Sequence, residues 1–166
     1  MVFQDETGFT LHPRLGFAWG RRGRRLQVAT TSQHHERLNI SGWVAPLLGR
    51  QGKIRTPQGN TEGFLELLRH LYRHLRPYTL WLYVDRARWH KGEQVAEFLK
   101  QHRRLHLQYL PPYQPGLNPQ ERIWRRVRYE GTTNRWFENL DEVWTSVDRI
   151  MRSWTPEKIR RLCNIC

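Results

Sequence analysis

The chain has 166 residues, with 28 Lys and Arg against 15 Asp and Glu and a formal charge of +13. At 38% hydrophobic, with eight Trp, six Tyr and six Phe, it is too aromatic for a disordered basic tail, and its length suits one domain with one core. No apolar run approaches the roughly 20 residues that cross a bilayer, and Met1 leads directly into VFQDETGF without the regions of a signal peptide, so a soluble cytoplasmic protein with no membrane partner is expected.

Val2 to Phe9 reads as a strand, followed by a turn rich in Gly and Arg (Gly20 to Arg25) and a short strand from Leu26 to Thr31. Leu38, Ile40, Gly42 and Val44 alternate with Asn39, Ser41, Trp43 and Ala45, the period-two pattern of a half-buried strand. A turn over Pro46 to Gly52 leads to an edge strand at Lys53 to Thr56, completing an antiparallel meander. The period then changes. Phe64, Leu67, Leu68, Leu71, Tyr72 and Leu75 recur at helical spacing, which predicts a helix starting at Asn60 or Thr61 and stopping before Pro77. Thr79 to Val84 is an almost unbroken apolar run, as expected of a strand buried on both faces. A helix over Lys91 to His102 and a strand around Leu105, Leu107 and Tyr109 follow, then helices over Asn118 to Glu130 and Leu140 to Trp154. A meander followed by such alternation predicts an α/β fold, a mixed sheet with parallel strands in its second half and helices flanking it.

Charge alone makes nucleic acid the leading partner class, because phosphate neutralisation with counterion release suits a surplus of cations. Arg21, Arg22, Arg24 and Arg25 concentrate that charge in one turn, read as a DNA contact or else as an ordinary solvated hairpin, and Trp19 beside them is expected to pack beneath the turn, the alternative being to stack on a splayed base. Cys163 and Cys166, in a terminal CNIC, give no disulfide framework and no four-cysteine metal site. His70 and His74 stand one helical turn apart without a third ligand nearby and are taken as surface histidines. GRQGK at Gly49 to Lys53 does not match a phosphate-binding loop.

Three carboxylates stand where chemistry is possible. Asp85 closes the apolar run, at the strand end where reacting groups gather in α/β sheets; alternatively it forms an ion pair with Arg86 or Arg88. Asp5 lies in the first strand, and DETG could equally lead into a turn. Glu121 follows Asn118 and Pro119 at the third position of a helix, where it could instead close a capping box onto Asn118. Glu121, Arg125 and Arg128 share one helix face, setting a carboxylate beside two cations suited to phosphates.

Taken together, FQDETGF, LYVDRARWHK and LPPYQPGLNPQERIW, with 35 residues between Asp85 and Glu121, resemble the catalytic domain of bacterial insertion-sequence transposases of the mariner superfamily. The resemblance runs from Val2 to about Trp154, and LPPYQPGLNPQE is its most specific part. It implies a ribonuclease H-like fold over a single catalytic domain, residues 1–166, without the family's helix-turn-helix region. It implies a catalytic, metal-binding triad of Asp5, Asp85 and Glu121, holding Mg²⁺ or Mn²⁺ as a pair of ions. It also implies DNA strand cleavage and strand transfer, with transposon ends and target DNA as partners, in a homo-oligomer or a complex with a helix-turn-helix part. The expected setting is the nucleoid of a bacterial cytoplasm. His90 matches a histidine of the family's D-N-A-x-x-H segment, and is expected either to contact DNA or to fix the strand end. Arg86 stands where the family generally has Asn, beside the second aspartate, where it could compete with a metal. The alternative is therefore a catalytically impaired remnant that only binds nucleic acid or interferes with an intact enzyme.

Overall fold

The computed structural model describes residues 1–25, 27–30 and 36–164. Its strands are β1 (Val2–Thr10), β2 (Arg37–Ala45), β3 (Arg50–Arg55), β4 (Leu80–Val84) and β5 (Leu105–Tyr109), joined in one sheet of order β3-β2-β1-β4-β5. Its helices are α1 (Thr61–His74), α2 (Glu93–Gln101), α3 (Pro119–Gly131), α4 (Leu140–Arg152) and α5 (Pro156–Leu162). The sheet is mixed: β2 and β3 pair antiparallel, while β1 with β4 and β4 with β5 pair parallel. The chain divides into two compact units, one of residues 1–7, 39–123 and 155–166, the other of residues 8–38 and 124–154.

In the first unit, the apolar stripe of α1 (Phe64, Leu67, Leu68, Leu71) joins Val2, Trp43, Leu82, Val84 and Phe98 in one buried cluster. The helix starts where the sequence places it, with the Asn60 side chain accepting from the Gly63 N–H at 2.8 Å. The strand after it departs from the expectation: Leu80, Leu82 and Val84 are buried, but Trp81 is exposed and stacks on His106 at 4.7 Å. Aromatic side chains can leave the core of a strand without interrupting its apolar run, so the sequence pattern overstated the burial.

In the second unit, Phe9, Trp124, Val127, Val143, Val147 and Met151 are buried, with the Phe9 and Trp124 rings edge to face at 6.4 Å. The Trp154 indole N–H donates to Glu130 at 2.8 Å, and the Ser146 hydroxyl to the Gly131 carbonyl at 2.8 Å. The strand expected over Leu26 to Thr31 is absent from Gln27 to Thr30, which carry no regular structure; Leu26 and Thr31 lie outside the described residues. Its apolar residues are too few to bury a face. Helix α5 was not anticipated, although Thr155-Pro156 carries its start signal: the Thr155 hydroxyl accepts from the Lys158 N–H, with Pro at the first helical position.

Candidate active site at the carboxyl ends of the parallel strands

Parallel pairing sets two aspartates side by side. Val2 lies opposite Leu82 and Phe3 opposite Tyr83, and the same offset continued along both chains brings Asp5 level with Asp85. Paired residues of parallel strands share a face, as the stacked Phe3 and Tyr83 rings confirm at 5.1 Å, so the two carboxylates emerge on the side of those rings. The third acid comes from the start of α3. There the buried Asn118 side chain donates to the Gln4 carbonyl at 2.9 Å and accepts from the Gln120 N–H at 3.1 Å, fastening the helix start to β1 one residue before Asp5. The capping box weighed for Glu121 is not the arrangement found, because the Asn118 N–H is bonded to the Pro115 carbonyl at 3.0 Å. Asp5, Asp85 and Glu121 line one open cleft of about 390 Å³ with Arg86, Tyr113 and Asn118. Tyr113 is fully exposed there at φ +58, a left-handed conformation uncommon for a residue with a side chain.

The electrostatics of the cleft are uneven. Burial, the Glu121 charge and the neighbouring Asp85 and Glu6 push the Asp5 carboxyl up to about 7, against a lowering hydrogen bond from the Glu6 N–H. Asp85 is held below the usual carboxylate range, chiefly by His90 and also by the Ala87 N–H, which donates at 2.9 Å. The His90 Nδ1 lies 2.8 Å from the Asp85 Oδ1, while its Nε2 faces the Glu6 Oε1 at 3.4 Å. Burial opposes a charge on this ring, but the bonds to Asp85 and Glu6 prevail and raise it to about 9. His90 is only 2% exposed, packs its ring on Phe64 at 4.3 Å and accepts from the Tyr109 hydroxyl at its carbonyl. Of the two expectations for this residue, the geometry serves the fixing of the strand end.

Glu6 was missed in the sequence. Its Oε1 accepts from the Trp89 indole at 3.2 Å and from Gln4 at 3.3 Å as well as facing His90. Strand parity was the available signal, since it turns Glu6 away from Asp5 and toward the side where His90 lies. The ion pair of Asp85 with Arg86 or Arg88 is not what forms: His90 and the Ala87 N–H take those places, and the Arg86 Nε instead donates to the Leu110 carbonyl at 3.4 Å.

The remaining candidates lie elsewhere. Arg21, Arg22, Arg24 and Arg25 are all exposed, in a turn closed by the Arg24 N–H on the Arg21 carbonyl with Gly23 at φ +81. Trp19 is fully exposed, so it does not pack beneath that turn as expected. Along α3, Arg125 is exposed, and Arg128 is half-buried with its guanidinium 5.2 Å over the Phe9 ring. His70 is not a plain surface histidine: it accepts from the Trp43 indole at 3.1 Å, and burial, His74, Arg73 and Lys53 lower it to about 4. Cys163 is buried and reduced, its thiol raised to about 11 by burial despite Arg122, and Cys166 lies outside the described residues. Among the described residues, no three His, Cys, Asp or Glu side chains are gathered as a ready metal cage, and no helix is long and apolar enough to cross a membrane.

A mixed sheet with one acid inside β1, a second just past the end of the adjacent parallel β4 and a third at a helix start has a ribonuclease H-like arrangement. The family of DDE superfamily endonucleases matches residues 1–144, and the chain belongs to it. Over 162 residues it is 29% identical to the insertion element IS630 uncharacterized 39 kDa protein of Shigella sonnei, covering 94% of this chain and 46% of that protein. It is 33% identical over 107 residues to the uncharacterized protein y4pE/y4sA of Sinorhizobium fredii, covering 64% of this chain and 76% of that one. The fold is that of the Mos1 mariner transposase. Its paired-end complex with left transposon end superposes with a TM-score of 0.72 at 18% identity, over 98% of this chain and 51% of that one. The isolated Mos1 catalytic domain gives a TM-score of 0.65 at 16% identity, over 98% and 74%. The resemblance carried by the three acidic motifs therefore holds, and the chain spans about half the length of the IS630 protein and of Mos1 in that complex.

Proposed function

We propose that the chain is the catalytic part of an insertion-sequence transposase, cutting a DNA strand and joining the freed 3′ end to target DNA. The observation that carries this reading is the convergence of Asp5, Asp85 and Glu121 on one cleft within a DDE endonuclease fold. Mos1 has been solved as a strand transfer complex and as paired-end complexes with Mg and with Mn, which supports the same substrate class and a divalent cofactor here.

The donor set fits such a cofactor. Three carboxylates offer hard oxygen ligands, and Asp5 is raised first by burial and then by the charges of Glu121 and Asp85, which a cation there would offset. Asp5, Asp85 and Glu121 would hold Mg²⁺ or Mn²⁺, as one or two ions. When bound, the metal supplies charge stabilisation for the attacking and leaving oxygens of a phosphodiester. The chain's own residues prepare that site. Asn118 fixes the start of α3 against β1, which sets Glu121 beside Asp5. His90 and the Ala87 N–H orient the Asp85 carboxylate and keep it ionised. Water first attacks the strand, and the released 3′-hydroxyl then attacks target DNA; both steps exchange one phosphodiester oxygen for another and need no nucleotide triphosphate. Joining two transposon ends calls for a homo-oligomer and for a helix-turn-helix part that selects those ends, working in a bacterial nucleoid. The competing reading of an impaired remnant rested in part on Arg86 competing for Asp85, and Asp85 instead meets His90 while Arg86 bonds the Leu110 carbonyl.

Supercoiled plasmid is expected to accumulate nicked circles with the chain and Mg²⁺ and to remain intact in EDTA; intact plasmid under both conditions refutes the proposal. For DNA contact, replacing Arg21, Arg22, Arg24 and Arg25 together by Ala is expected to lower the slope of log affinity against log salt by up to roughly 3 to 4 units. An unchanged slope removes the arginine turn from the interface.

A further inference from the structure

The second compact unit contains a pocket that has no part in the carboxylate chemistry. Its volume is about 320 Å³, and its lining includes Phe9, His12, Arg14, Arg128, Arg135 and Phe137, with no Asp or Glu among the described residues. Such a volume lies at the small end of ligand pockets, suited to one nucleotide and too small for a duplex. Three guanidinium groups border one concavity, and an anion placed in it is attracted by all three.

The backbone segments carrying these cations are held together by the fold. The backbone bridge between Arg14 and Thr133, and the Asn134 N–H bonded to the Arg14 carbonyl at 2.9 Å, keep the segment bearing Arg14 beside the one bearing Arg135. The Asn134 side chain adds two bonds to the Gly16 backbone, donating to its carbonyl and accepting from its N–H, each at 2.9 Å. Asn134 sits at φ +56 to do so, and a Cβ at Gly16 would fall 2.6 Å from the Thr133 methyl. Arg128 is positioned by its stacking over Phe9.

We propose that this pocket binds a single nucleotide of a DNA strand, its phosphate among Arg14, Arg128 and Arg135 and its base against Phe137. The inference rests on the nucleic-acid reading above and adds a site to it. Guanidinium forks suit a phosphate's oxygens, and an aromatic wall suits a base's face without selecting its sequence.

The test measures binding of 5′-thymidine monophosphate, thymidine and inorganic phosphate to the full chain by calorimetry. The monophosphate is expected to bind at least about tenfold more tightly than either phosphate or thymidine. Arg14→Gln and Arg135→Gln, both at exposed positions whose loss spares the core, are each expected to weaken it about fivefold or more. Equal affinity for phosphate and the monophosphate, or unchanged binding in both variants, overturns the proposal. Plasmid nicking is read separately. Nucleotide binding without nicking supports the pocket while refuting the catalytic reading, and nicking without nucleotide binding overturns the pocket alone.

Discussion

Asp5→Asn, Asp85→Asn and Glu121→Gln are each expected to reduce Mg²⁺-dependent plasmid nicking by about a thousandfold or more, with DNA affinity unchanged within about twofold. The size follows from losing a charged ligand to an ion whose electrostatic stabilisation of the transition state amounts to several kcal/mol, at about 1.4 kcal/mol per tenfold in rate. Affinity is spared because DNA is held by cations, and removing an anion from the cleft does not weaken phosphate contacts. The variants are nearly isosteric, so packing is little disturbed. Nicking within about tenfold of the wild type in any one of them removes that residue from the catalytic set. Asp5→Asn carries a second signature. A carboxyl raised to about 7 costs the folded chain stability once the unfolded chain has ionised near 3.8, so stability falls as pH rises between those values. The Asn variant loses that slope in EDTA.

The metal-free protein is also expected to lose about 3 kcal/mol of stability as pH rises from about 6 to about 10, through the deprotonation of His90. A ring raised from 6.5 to about 9 binds its proton more tightly when folded. Its stabilisation is complete below 6.5 and disappears as pH passes through about 9. The cause is structural: one buried imidazolium lies 2.8 Å from the Asp85 carboxylate and 3.4 Å from that of Glu6. In His90→Ala, urea unfolding followed over the same range in EDTA is expected to show lower stability at pH 6 and no alkaline decline of this size. Wild-type protein with a flat profile between pH 6.5 and 9 contradicts the His90 assignment.

Much of this was legible in the sequence because the signals were strong and local. The stripe from Phe64 to Leu75 and the Asn60 start signal specified α1 and its boundary, and the three motifs, through the family resemblance, pointed to Asp5, Asp85 and Glu121. The equal level of Asp5 and Asp85 was not legible, since parallel register depends on pairing between distant segments. Nor was the Asp85 to His90 pair: arginines adjacent in sequence looked like better partners, yet successive residues leave a strand end in different directions, and the 3₁₀ turn over Arg88–His90 carries the histidine back. Trp19 misled because an indole usually seeks cover, whereas here it stays fully exposed. The pocket around Arg14 and Arg135 was hidden for a similar reason, its lining joining residues more than a hundred positions apart.

The most direct measurement is anomalous scattering from crystals of the chain soaked in Mn²⁺. Strong peaks within about 2.0 to 2.4 Å of carboxylate oxygens of Asp5, Asp85 and Glu121 are the predicted result. Manganese bound elsewhere, with that cleft empty at saturating concentration, would contradict the account.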